Sequence, residues 1–116
     1  MPEHFYDTAT SARFSHEKMQ KVNLFESPRM FCDVYCLKAG QAQHDHTHDG
    51  NDKVYHVLSG TPTVRIGEQT RVMCAGQTAI APAGVIHGVR NDSTDNATLL
   101  VFMAPHPRLA VPPNGR

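Results

Sequence analysis

Apolar residues along this chain fall into short runs broken by glycine and proline, never into the ten or more unbroken residues that a stable helix needs. Runs rich in β-branched and aromatic residues span 21–25, 30–38, 53–59, 63–67, 70–74, 78–81, 87–91 and 97–104, which predicts eight strands. Turn chemistry separates them at 39–40, 49–51, 60, 67, 75–76, 82–84 and 91–92. The stretch 11–20 has room for one helical turn, with Ser15 as its cap. Beyond Ala104, Pro105, Pro107, Pro112 and Pro113 lack ladder donors, so 105–116 is expected to run extended over the surface. The fold class is all-β, and an antiparallel sandwich closed as a jelly roll leaves the fewest exposed edges. Met73, Phe102 and Met103 are expected in its core.

Composition narrows the partners. The 116 residues suit one domain over 1–116, and 11 Lys plus Arg balance 11 Asp plus Glu, so no nucleic-acid partner is expected. The longest apolar stretch, 99–104, is far too short to span a bilayer, and the first residues lack a signal layout, so no membrane association and a cytoplasmic location are expected. Cys32 and Cys36 lie four apart on a predicted strand, about 13 Å by strand rise, and cannot pair. Cys74 is the third cysteine, and reduced thiols fit a reducing cytosol.

The chemistry lies in the histidines. There are 8, and His44, His46 and His48 are spaced by two, so on an extended segment they point to one side and at least two can share a metal. Another nitrogen is available from His87, which follows the turn Pro82-Ala83-Gly84. His56 alternates with Lys53 and Tyr55 and so faces away from them, while His4, His16 and His106 lie outside the strands and are expected in solvent. No P-loop, G-x-G-x-x-G, C-x-x-C or serine-nucleophile elbow occurs, which removes the common nucleotide-binding, thioredoxin-like and hydrolase classes.

Gly76-x5-Pro82-x-Gly84-x2-His87-x3-Asn91 resembles the second motif of the cupins at every fixed position. Gly40-x5-His46-x-His48-x4-Lys53-x6-Gly60 resembles the first at all but one. The resemblance covers 40–91 and implies a double-stranded β-helix, or cupin barrel, with a divalent transition metal (iron, manganese, nickel, zinc or copper) in its mouth. It also implies a small-molecule ligand, dioxygenase or isomerase chemistry, and a homodimer.

The departure is Lys53, where cupins of this pattern place a carboxylate. An ammonium about 4 Å from a dication is repelled by roughly 8 kcal/mol at an effective dielectric of 20, so charged Lys53 is not a ligand. Three replacements stay open: His44 as a fourth nitrogen, Asp52 turned inward by a bulge, or water and substrate. Lys53 either pairs with Asp52 or Asp33 at the rim or projects into the cavity beside Tyr55, where the two would form catalytic machinery as proton carrier and hydroxyl donor. Two functions follow, a metalloenzyme or a non-catalytic module that binds or senses a sugar or organic acid. The segment 18–27 has strand character and could be exchanged between two copies in a homodimer.

Overall fold

A computed structural model describes residues 3–109. One helical turn, α1 (Thr8–Ser11), precedes nine strands: β1 (Gln20–Ser27), β2 (Met30–Leu37), β3 (Ala42–His46), β4 (Asp52–Ser59), β5 (Thr63–Ile66), β6 (Gln69–Val72), β7 (Thr78–Ala81), β8 (His87–Arg90) and β9 (Ala97–Ala104). They form two antiparallel sheets, ordered β1-β2-β9-β4-β7 and β3-β8-β5-β6. None of the described helices is long and apolar enough to cross a membrane.

The core forms where the two sheets face each other. Along β4, Lys53, Tyr55 and Val57 are buried while Val54, His56 and Leu58 are only partly so, the period-two signature of a strand with one inner face. Register continues this face across the sheet. Lys53 pairs with Met103 and Met103 with Phe31; Tyr55 pairs with Val101 and Val101 with Asp33; Val57 pairs with Leu99 and Leu99 with Tyr35. Asp33 and Lys53 are therefore polar members of apolar rows.

Four expectations are corrected. A ninth strand, β3, was not among the eight expected because AQHDH carries no apolar alternation; its pairing with β8 makes it a strand. The helical turn is capped by Asp7, whose carboxylate accepts from Ala9 N at 2.9 Å, whereas Ser15 only accepts from Glu17 N at 3.2 Å within a bend. Phe102 is half-buried because the parity of β9 turns Val101 and Met103 inward and Phe102 out. His106 is fully buried: its Nε2–H donates to Glu26 at 2.8 Å, and its Nδ1 accepts from Arg108 N and Leu109 N at 3.0 and 3.1 Å. It clasps 105–109 against β1 and β2, and the rest of the expected extended tail, 110–116, lies outside the described residues.

One irregularity positions everything that follows. In the β3–β8 pair, Gln43 opposes Val89 and His46 opposes His87, so His44 and Asp45 together oppose the single residue Gly88. This is a β-bulge, and it reverses the parity of the strand. Gly88 makes it possible, because a Cβ there would meet Asp45 Oδ1 and approach the Asp45 backbone at 3.1 Å. Asp45 instead reaches past Gly88 to Arg65 of β5, at 2.8 Å. Replacing Gly88 by alanine should cost about 1–3 kcal/mol through overpacking against backbone. A fall of several degrees in Tm is the expected result in a thermal melt, together with weakened metal retention.

Candidate metal centre

His46 closes β3, His48 follows two residues later, and His87 opens β8 directly across from His46. One nitrogen from each lies within 4.8 Å of the others. Ring centroids are 4.4 Å apart for His46 and His87, 4.8 Å for His46 and His48, and 5.6 Å for His48 and His87. His46 Nδ1–H donates to the His44 carbonyl at 2.8 Å, and His87 Nδ1–H donates to the Val85 carbonyl at 2.9 Å. Those bonds place the proton on Nδ1 and leave Nε2 with a lone pair, the arrangement metal-ligating imidazoles need.

His87 Nε2 is the decisive atom. It is buried and has no hydrogen-bond partner among the described residues. An unmatched buried polar atom costs about 1–3 kcal/mol, and a metal ion would satisfy it. Burial also holds all three rings neutral: it pushes His87 down to about 4, against the opposing bond to Val85, with Lys53 and the other two rings lowering it further. His46 and His48 are lowered too, again mainly by burial. Neutral imidazoles converging on one point fit a divalent transition metal.

The two motif loops are tied together beside this cluster. Gly84 N donates to the His48 carbonyl at 2.8 Å and Ala83 N to Asp52 Oδ1 at 2.9 Å, so the 82–84 turn carries His87 up against His46 and His48. Asp52 is thus occupied holding that turn and does not join the cluster. His44 does not join it either. The bulge sends its side chain outward, where it is exposed, and turns Gln43 inward in its place. His56 faces the outer side, bonded through Nδ1 to Thr78 Oγ1 at 2.8 Å.

Lys53 is 1% exposed. Its ammonium donates to Gln43 Oε1 at 3.1 Å and stands 5.1 and 5.3 Å from the ring centres of Tyr55 and Tyr35. The rim pairing with a carboxylate does not form, since Asp33 accepts from Asn23 at 2.8 Å and Asp52 holds Ala83. Burial, then the nearby Lys21, brings the Lys53 pKa down to about 7, with Asp33 opposing. Tyr55 O–H also donates to Gln43 Oε1, at 3.1 Å, and Gln43 Nε2 donates to the Tyr35 hydroxyl at 3.2 Å. The Tyr55 ring lies 6.1 Å from His87, so this polar group adjoins the histidine cluster.

Gln43 and Tyr35 are the site residues that sequence reasoning missed. Strict alternation from His46 places Gln43 on the outer face, and only the bulge, signalled by nothing but a glycine on the opposite strand, reverses it. Tyr35 sits in the run MFCDVYCLK, where apolar residues on both faces hide which one is inner; Asp33, two residues away on the same face, was the available clue.

The fold and the two motif loops define a cupin, and the chain belongs to the cupin domain family, whose profile matches residues 33–103. Among solved structures, TT1209 from Thermus thermophilus is 48% identical and superposes with a TM-score of 0.86 over 89% of this chain and 98% of that one. A Klebsiella pneumoniae protein with a double-stranded β-helix domain is 21% identical, with a TM-score of 0.83 over 93% of this chain and 94% of its own, and shares the fold. An uncharacterized Streptomyces coelicolor protein is 34% identical over 76 residues, 66% of this chain and 71% of its own length.

The depressed Lys53 pKa carries a stability consequence with a definite sign. Between about 7 in the folded state and 10.5 in an unfolded chain, the unfolded state binds more protons, so stability rises with pH across that window. The penalty is full below pH 7 and gone above 10.5. Replacing Lys53 by methionine should therefore stabilise the metal-free protein by on the order of 2–4 kcal/mol at neutral pH. Chemical denaturation at a series of pH values should show the advantage shrinking as pH climbs towards 10.5.

Proposed function

We propose that this cupin binds one divalent transition metal through His46, His48 and His87 and holds a small organic ligand beside it at the barrel mouth. The observation that carries this is the buried, unmatched Nε2 of His87, converging with two other neutral imidazoles. Three neutral ligands leave a bound ion its full dicationic charge, supplying Lewis acidity towards anionic oxygens and, if it is iron, oxygen chemistry. The protein's own part falls to its polar cluster. Lys53 holds or releases a proton at Nζ near neutral pH, and Tyr55, through Gln43, keeps that amine in place. Oxygenase- or isomerase-type chemistry is the class this arrangement serves. A non-catalytic binding or sensing module is the second reading, favoured by the amine standing where a ligating carboxylate is common in the family.

Metal analysis of untagged protein tests the site: one equivalent per chain is expected in the wild type and less than a tenth in His87→Ala. Wild-type protein that is empty and takes up no added metal overturns the proposal. Stoichiometric metal without turnover of any small acid or sugar selects the binding module.

The homodimer belongs to the same proposal. β1 pairs with β2 of its own chain, and among the described residues its other edge is unpaired at the border of the five-stranded sheet, with Phe25 53% exposed. The free thiols of Cys32, Cys36 and Cys74 suit the cytoplasm. Light scattering at micromolar concentration should give twice the 12.8 kDa chain mass, and a monomer mass refutes pairing through this edge.

A further inference from the structure

Lys53 is a buried amine without a counter-ion. Its Nζ donates to Gln43 Oε1 and otherwise faces the rings of Tyr35 and Tyr55, and none of the ion pairs among the described residues includes it. A lysine kept from water gives up its proton readily, and the free amine carries a lone pair that attacks carbon. The amine also adjoins the histidines. The Tyr55 ring that lies 5.1 Å from Nζ lies 6.1 Å from the His87 ring, and the charge of Lys53 is felt at His46, His48 and His87 alike. His46 and His48 are only partly buried, so the cluster beside this amine opens to solvent.

The histidine centre lacks an anion. Asp52, Asp45 and Asp33 are engaged by Ala83 N, Arg65 and Asn23, and among the described residues no carboxylate joins the cluster. Imidazoles together with a carboxylate are a common ligand set for a divalent transition metal. Lys53 stands at the one fixed position where the first motif departs from its pattern.

We infer that Lys53 is a carbamylation site, and that its carbamate is the anionic fourth ligand of the metal proposed above, on which the inference rests. The Nζ lone pair forms an N–C bond to carbon dioxide, one C=O electron pair moves onto oxygen, and the nitrogen releases one proton to solvent, leaving an N–H with a carboxylate beyond it. No oxidant or reductant takes part. The remaining N–H can still donate to Gln43 Oε1, so the amide that holds the amine also orients the carbamate. A buried anion without a partner is unfavourable, so the carbamate persists only where the metal is bound. The free amine is the proton carrier and the carbamate the ligand, which makes the centre responsive to carbon dioxide.

The test starts with cobalt(II)-loaded and metal-stripped protein incubated with isotope-labelled bicarbonate at mildly alkaline pH. Triethyloxonium then traps any carbamate as its stable ethyl ester, which peptide mass spectrometry locates. Label is expected on Lys53 in the cobalt-loaded protein, and not in metal-stripped protein, in His87→Ala or on the exposed Lys18. Cobalt should bind about tenfold more tightly with bicarbonate than in buffer freed of carbon dioxide. Lys53→Met should lose that difference, and Lys53→Glu should bind tightly in both. Stoichiometric cobalt with no label on Lys53 overturns the inference and leaves the metal site standing. A bicarbonate effect that survives in Lys53→Met does the same, since it assigns the effect to bicarbonate on the metal. Label on Lys53 that is as abundant without cobalt takes the carbamate out of the ligand set and overturns the inference. Protein that takes up no cobalt, either as wild type or as Lys53→Glu, overturns the metal site as well.

Discussion

The close approach of Asp45 to Gly88 governs the chemistry of this barrel. A strand with strict period-two alternation would turn His44, His46 and His48 inward and keep Gln43 out. Two residues opposing one on β8 exchange that pattern for another, in which Gln43, His46 and His48 share the inner face. The exchange trades a fourth imidazole for an amide, and the amide is what Lys53 and Tyr55 bond to. The outer carboxylate of Asp45, paired with Arg65, fastens the bulge from the solvent side.

Burial sets the electrostatics of the mouth. It is the largest cause of depression for His46, His48, His87 and Lys53, so the site is a set of bases whose protons have been discouraged rather than a set of fixed cations. That state suits metal capture, which would otherwise have to displace protons. It would also reconcile Lys53 with a dication bound beside it. The roughly 8 kcal/mol repulsion applies to an ammonium, and an amine half-deprotonated at neutral pH escapes most of it.

Much of this was legible in the residues alone. The two motif spacings single out His46, His48 and His87, and the structure brings these three together, because spacing along strands and tight turns is local and a sequence records it directly. The inward face of Lys53 and Tyr55, and the outward face of His56, followed from alternation on an unbroken strand. What escaped depended on partners distant in sequence. β3 is held by β8 and not by its own composition, the bulge needs a glycine on that partner, and the buried His106 packs on Phe31 and bonds to Glu26, 75 and 80 residues earlier. Adjacency to Lys53 leaves Asp52 open as a ligand only if a bulge turns it inward; its role as an anchor for the 82–84 turn depends on where Ala83 N points.

The hydrogen bonds around Gln43 run in one direction. Its carbonyl oxygen accepts from both Tyr55 and Lys53, and its amide nitrogen gives to the Tyr35 oxygen. The chain of donors therefore ends at Tyr35, whose own proton is committed to none of them. With burial raising its pKa, that phenol keeps its proton at any physiological pH. The polarity of one amide therefore decides that Tyr35, and not Tyr55, keeps the uncommitted O–H of this cluster.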